Sequence, residues 1–315
     1  MKEFALFNDS FSATKTTTYH LSILLSRIGY LYSIVDTVRQ KCVAIKNVNF
    51  EKVSDNERFY KNVQEFLKAD TFLNKFYKSV DFIFQSPKST LVPTSLFDRK
   101  KVKSYFELNQ FLDDYEEIHY NKLSGLDTIN IFSIPSSITT LMVNQFPELR
   151  FYHQASTFID NSLQKADKVG TLVSVMVNKD FFDIAVCESG KLLLYNNFQY
   201  QNESDFVYYI LNVYQQVKIK PTEIALYLSG DIDEDDKQYK VLLNYIKEIN
   251  FVRIAGNSKY QYSFIKRSWI CLVGLVVSPM NLCQGDVLML WQLILALSTF
   301  RMWRKLHVYS MLTRK

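Results

Sequence analysis

Asp231, Asp233, Asp235 and Asp236 form the densest group of oxygen-bearing side chains in this 315-residue chain. Carboxylates at near-alternate positions are what a calcium loop uses, because a hard cation takes roughly six to eight oxygen ligands. Such a loop also needs glycine at its sixth position and a bidentate glutamate at its twelfth. Those positions hold Asp236 and Leu242. The group therefore reads as a solvated turn opening a helix, where acids suit the dipole. His20, His119, His153 and His307 are scattered, with no second ligand one helical turn away. Cys42, Cys187, Cys271 and Cys283 include no CxxC pair and match no zinc spacing. No metal site is expected. The chain also lacks a nucleophile elbow, a Walker loop and a dinucleotide fingerprint, so no catalytic residue is assigned. Asp113, Asp114, Glu116 and Glu117 read as a solvated acidic face. Only 8 glycines occur, which argues against glycine-rich loops that let a backbone approach phosphate.

Any site must then be held by the larger elements, and these follow one pattern that occurs twice. YHLSILL (19–25), YLYSIVD (30–36) and KCVAIKNVNF (41–50) read as three strands, the last half-buried at a sheet edge. Ser54 and Asp55 offer an N-cap to a helix with Phe59, Val63, Phe66 and Leu67 on one face, and VDFIFQ (80–85) is a buried strand. From Val169 the order repeats. Three strands span 169–198, a helix starts at Glu203, and EIALYLSG (223–230) is a strand. The offset stays near 150 residues, too long for a solenoid unit and right for two similar halves. Between the copies, 87–93 is expected as a loop and FELNQFLDDYEE (106–117) as mostly helical. A hairpin turns at Ser124-Gly125, and Pro135 opens a helix. RFYHQ is a strand, and a helix runs to about Ala166. YKVLLNYIKEI (239–249) is expected as a helix and NFVRIAG as the last strand. The expected core holds Ile23, Leu25, Ile34, Phe82, Ile83, Val173, Val175, Ile184, Val186, Ile224, Leu226 and Leu228.

Hydrophobic residues make up 48% and aromatics 15% of the chain, enough for a large core and incompatible with global disorder. The formal charge of +5 resides in the tail. Residues 266–315 hold seven basic residues and one acid, and residues 1–265 hold 30 basic and 31 acidic, a net of −1. That neutral body gives no footprint for nucleic acid. The tail carries all three tryptophans and two apolar runs, 269–277 and 287–297, both shorter than a membrane span. Three readings stay open for it: an interfacial anchor, a buried pair of helices, or a non-native end. No signal peptide is read at the N-terminus and no disulfide framework in the cysteines, so the expected location is cytoplasmic.

The plan of hairpin, strand, helix and strand, taken twice, resembles the actin-like ATPase superfamily, whose halves are ribonuclease-H-like. LVPTSLF (91–97) and KYQYSFI (259–265) are similar to a bacterial domain-of-unknown-function family with that fold. The resemblance implies an α/β chain with mixed sheets and duplicated ribonuclease-H-like halves. The first half takes 1–150 and the second 151–265, with 266–315 as an atypical tail. In active members of the superfamily, each half's first hairpin turn carries Asp-x-Gly for Mg²⁺ and phosphate. Here the first turn is Ser26-Arg27-Ile28-Gly29, without the Asp, and the second is Asn178-Lys179-Asp180, without the Gly. An adenosine-contacting motif is echoed in Leu228-Ser229-Gly230. The resemblance thus places Gly29, Ser229 and Gly230 at a degenerate nucleotide site. ATP hydrolysis is not expected, and weak binding of ATP with Mg²⁺ stays open. The leading expectation is a binding or scaffold module with an unidentified protein partner. A divergent nucleotide-binding enzyme and a scaffold tethered to membrane through the tail are the alternatives.

Overall fold

The computed structural model describes residues 4–39, 41–50 and 55–252, all of them in one unit of the chain. Strands β1 (Phe4–Phe7), β2 (Tyr19–Ser26), β3 (Gly29–Asp36) and β4 (Lys41–Asn49) pair antiparallel in the order β1-β4-β3-β2. Helix α1 (Asn56–Ala69) returns the chain to β5 (Ser79–Phe84), which lies parallel to β2. A separate three-stranded sheet follows, made of β6 (Ser89–Pro93), β7 (Glu116–Lys122) and β8 (Thr128–Pro135) in the order β6-β8-β7. The short helix α2 (Val102–Glu107) packs on it through Phe106, around which Val92, Ile129 and Ile131 gather. Helix α3 (Ser136–Gln145) leads to β9 (Leu149–His153), which adds parallel to β5 and ends the first sheet.

Helix α4 (Gln154–Val169) opens the second half, followed by β10 (Thr171–Val177), β11 (Phe181–Glu188) and β12 (Lys191–Gln199). Helix α5 (Glu203–Gln216), strand β13 (Leu226–Gly230), helix α6 (Lys237–Leu242) and strand β14 (Ile249–Phe251) complete it. The sheet order is β12-β11-β10-β13-β14, with β13 parallel to β10. That order matches β4-β3-β2-β5-β9 strand for strand. The match extends to an irregularity. The sixth residue of β3, Ile34, and the sixth of β11, Val186, each precede a bulge that leaves Val43 or Leu193, the third residue of its strand, unpaired.

Local chemistry explains the elements. Asp55 caps α1 by accepting from Glu57 N and Arg58 N, and Asn202 caps α5 by accepting from Asp205 N at 2.9 Å. Phe59, Val63, Phe66 and Leu67 face the first sheet together with Ile138 and Met142 of α3. Phe206, Ile210 and Val213 of α5 face the second. Helix α4 covers the opposite face of the second sheet, over Leu172, Met176 and Cys187. Each fully buried Phe or Leu here contributes roughly 1.5–3 kcal/mol. Among the described residues no helix is long and apolar enough to cross a membrane.

Several expectations are corrected. KCVAIKNVNF is not an edge strand, because β1 pairs outside it from Phe4↔Asn47 to Phe7↔Ala44. Residues 89–93 are strand β6 rather than loop. Pro93 is tolerated there because β6 is an edge strand and the proline is its last residue. The helix expected over 106–117 stops at Glu107, and Leu108, Phe111 and Tyr115 stand 76–77% exposed, with no surface among the described residues for their stripe to bury against. Pro135 takes the N-cap position, extended at φ −56°, ψ 127°, one residue before the helix. Strand β13 begins at Leu226, because Glu223 and Ile224 turn back to bond the Lys220 carbonyl. Ile224 is therefore only partly buried, whereas the other eleven expected core residues are buried. The helix expected over 239–249 runs only from Lys237 to Leu242. The end of NFVRIAG, KYQYSFI, Ser54 and the 266–315 tail lie outside the described residues.

Candidate functional site

In the resemblance above, the ligand is held at the turns β2–β3 and β10–β11 and at the exit of β13. At the first turn Ser26 pairs with Gly29 across Arg27-Ile28. Arg27 occupies the turn, donates to Asn56 Oδ1 at 2.6 Å and stands over the Phe59 ring at 5.4 Å. The turn is thus clamped to the start of α1. Gly29 has φ +154°, and a Cβ there would lie 2.3 Å from the Val48 carbonyl oxygen. Packing of β3 on β4 alone therefore demands glycine.

At the exit of β13 the same holds more strongly. Gly230 has φ +92°, and a Cβ would lie 2.0 Å from the Val177 oxygen and 2.8 Å from Val177 N. Ser229 is buried, and its hydroxyl donates to the Val175 carbonyl at 2.7 Å. Gly230 borders a polar cavity of about 220 Å³ lined by Val177, Lys179, Tyr200, Asp231, Ile232, Asp236 and Gln238. Ser229 and Gly230 thus sit together beside this cavity, while Gly29 lies at the other hairpin, in the first sheet.

The exit of β5 and the turn β10–β11 meet directly. Gln85 Nε2 donates to Asn178 Oδ1. The Tyr200 hydroxyl donates to the Asn178 carbonyl at 2.9 Å. Beside them Gln154 receives the Ser86 amide at 3.1 Å and donates to the Ser86 carbonyl at 2.6 Å. His153 accepts the Ala155 amide on Nδ1, so its Nε2 carries the proton toward Ser86 Oγ at 3.3 Å. Burial holds His153 neutral, with its pKa lowered to about 3.

Two aspartates are buried inside the sheets, and Asp183 anchors these ties. Asp183 of β11 accepts from Tyr195 at 2.7 Å and Asn197 at 3.0 Å, and also bonds Asn178 and Gln154. Burial pushes its carboxyl up to about 6 against those donors. Asp81 of β5 accepts from Arg150 Nε at 2.8 Å, while its second oxygen faces His20 at 3.8 Å without a hydrogen bond. Burial raises Asp81 to about 6 and, with Arg150, lowers His20 to about 3. The sequence reading passed over both aspartates. Their signal was available: each is a lone charge inside an apolar strand, VDFIF and FFDIAV. Among the described residues no group of three or more His, Cys, Asp or Glu side chains could hold a metal ion.

Residues 8–249 match a family described as "Protein of unknown function (DUF3822)". The chain belongs to this family. No curated protein matches the DUF3822 chain. A crystal structure from Bacteroides thetaiotaomicron VPI-5482, a protein with actin-like ATPase fold and unknown function, is 26% identical. It covers 85% of the DUF3822 chain and 98% of its own, with a TM-score of 0.72. The PilM–PilN type IV pilus biogenesis complex matches at 9% identity over 82% of this chain and 98% of its own, with a TM-score of 0.51. The DUF3822 chain therefore has the actin-like ATPase fold, with two sheets of the same plan, as its sequence implied.

Proposed function

We propose that this DUF3822 chain is a binding or scaffold module that retains the actin-like frame and has given up nucleotide turnover. The observation that supports it is the direct tie between the exit of β5 and the turn β10–β11, Gln85 to Asn178. The resemblance implies that the turn β10–β11 faces phosphate and its cation, and here its Asn178 side chain is bonded to Gln85 instead. Neither hairpin turn, 26–29 or 178–180, supplies the carboxylate and glycine pair. Asp180, the one acid in these turns, stands without that glycine. Gly29, Ser229 and Gly230 each have an internal reason to be what they are. The pilus neighbour was solved as a complex with PilN, so the frame serves protein association in another family.

Isothermal titration with ATP and Mg²⁺, paired with a phosphate-release assay, tests the reading. Binding weaker than ~100 μM, about −5.5 kcal/mol, without turnover is the expected outcome. Tighter binding with measurable turnover would instead support a divergent enzyme using the cavity beside Gly230 and Lys179.

A further inference from the structure

Among the described residues, helices layer the first sheet on one side only. Helices α1 and α3 pack on the face that carries Ile23, Ile34 and Phe82. The other face carries Leu24 of β2, Leu31 of β3 and Ile83 of β5, with Ile45 and Tyr152 beside them. No side chain of a described helix joins that cluster. Yet Leu24, Leu31 and Ile83 are only 6%, 2% and 1% exposed. A sheet face is that dry only beneath a second layer.

The second sheet has both layers. Helix α5 packs on one face, and α4 covers the other through Phe158, Ile159, Leu163 and Ala166. Helix α4 follows directly on β9, the last strand of the first sheet. The strand that ends one sheet thus leads straight into the layer over the other. Strand β14 ends the second sheet at the same place in its ladder, because Phe251 pairs with Leu228 as Phe151 pairs with Phe82. The face beneath α4 and the face of Leu24, Leu31 and Ile83 also keep the same polar residues at matching places. Ser22 and Ser174 are each the fourth residue of their strand, Asn47 and Asn197 each the seventh.

We propose that the chain's own residues 253–268, which follow β14, form a helix that docks on this face of the first sheet, over Leu24, Leu31 and Ile83. Exchanging the halves carries α4 onto this segment, and carries the face beneath α4 onto the face of Leu24, Leu31 and Ile83. The segment has the length of α4, 16 residues. It places Tyr260, Phe264 and Ile265 on one helical face, between the small residues Gly256 and Ser268, with Lys259 and Lys266 on the opposite side. Helix α4 has the same make-up, with Phe158, Ile159 and Leu163 between Ala155 and Ala166. The face is then closed to a partner protein, which must dock elsewhere. The inference goes beyond the binding-module reading and holds or fails without it.

The test puts the photo-crosslinking residue p-benzoylphenylalanine into the full chain. It replaces Tyr152 or, in a second protein, Ile45, both half-buried on this face. Exposed Tyr208 of α5 is the control position. After irradiation the adducts are mapped by mass spectrometry of tryptic peptides. The expected result is labelling of residues 254–268 from the positions of Tyr152 and Ile45, and none there from that of Tyr208. Phe264→Asp should cut this labelling about tenfold and lower the melting temperature by about 5 °C or more. The two probe positions keep the test decisive should one protein fail to fold. Labelling confined to other parts of the chain, or no labelling from either position, overturns the proposal. So does labelling that Phe264→Asp leaves unchanged. Adducts that join two copies, read from a mixture of isotope-labelled and unlabelled chain, overturn it as well.

Discussion

Gly230→Ala separates a glycine kept for packing from one kept for a ligand. The added Cβ would stand 2.0 Å from the Val177 oxygen and 2.8 Å from Val177 C and N. All three are backbone atoms of β10, so no side chain can turn aside. Reaching even 3.0 Å requires the exit of β13 to move about 1 Å away from β10. That shift stretches the Asp231 N to Val177 O bond, now 2.8 Å, past hydrogen-bonding range. Losing one or two such bonds costs about 1–3 kcal/mol, and a Cβ at φ +92° adds roughly 1–2 kcal/mol. The expected loss is therefore about 2–5 kcal/mol, or roughly 4–20 °C in melting temperature for a domain of this size. Gly190→Ala is the comparator. Its φ is +77°, but its nearest neighbour is the Asp167 carboxylate oxygen at 2.9 Å, the end of a side chain that can swing away. It should lose only the backbone part, about 1–2 kcal/mol. Thermal unfolding without nucleotide reads both variants. A Gly230→Ala loss no larger than that of Gly190→Ala would refute the packing argument and return Gly230 to the ligand.

The buried Asp81 makes stability depend on pH. A carboxyl whose folded pKa is raised holds its proton more tightly in the folded chain, so its stabilising share is complete below the unfolded value, near 4, and lost as pH rises through about 6. Asp81→Asn keeps an acceptor for Arg150 and should shift the pH 4 to pH 7 change in stability in favour of pH 7, relative to the parent, by on the order of 3 kcal/mol, the equivalent of about two pKa units; urea unfolding of both proteins at both pH values checks it, and an identical change in the two would count against it. Asp183 titrates over the same window in the same sense, and His20 and His153, neutral in the folded chain, act in the opposite sense, so the difference between parent and variant is what reports Asp81. Asn202→Ala removes the bond to Asp205 N that starts α5 and should cost about 1 kcal/mol, read as a lower urea midpoint with unchanged slope.

The two sheets were legible in the sequence because their strands are apolar, bounded by short turns and arranged in one order twice. What was not legible depends on contacts distant in sequence. FALF (4–7) is only four residues and becomes β1 because the outer edge of β4 is open to it. Residues 87–93 begin and end on proline and so read as a loop, and only the partner strand β8, some 40 residues later, makes Ser89–Pro93 a strand. Leu108, Phe111 and Tyr115 have helical spacing, but periodicity cannot say whether a surface exists to receive it. The site divides in the same way. Missing carboxylate and glycine pairs could be read from the turns, whereas the tie from Gln85 to Asn178 joins residues 93 apart and no local pattern announces it.

The bulges at Val43 and Leu193 act as phase shifts. Upstream and downstream of each, the strand alternates its side chains in opposite senses, and the unpaired residue absorbs the difference. The two residues live in unlike surroundings, Val43 1% exposed and Leu193 45% exposed. What the position encodes is therefore a count of residues, not a side chain. Replacing Leu193 leaves the frame of the strand intact. Deleting it would leave Leu192 opposite Cys187 and Leu194 opposite Val186 in a regular ladder, each side chain on the face it already occupies. The pairs Ile34↔Ala44 and Val35↔Cys42 flank Val43 in the same way, so in each half the extra residue is the one position of its strand that the ladder could lose without any neighbour changing face.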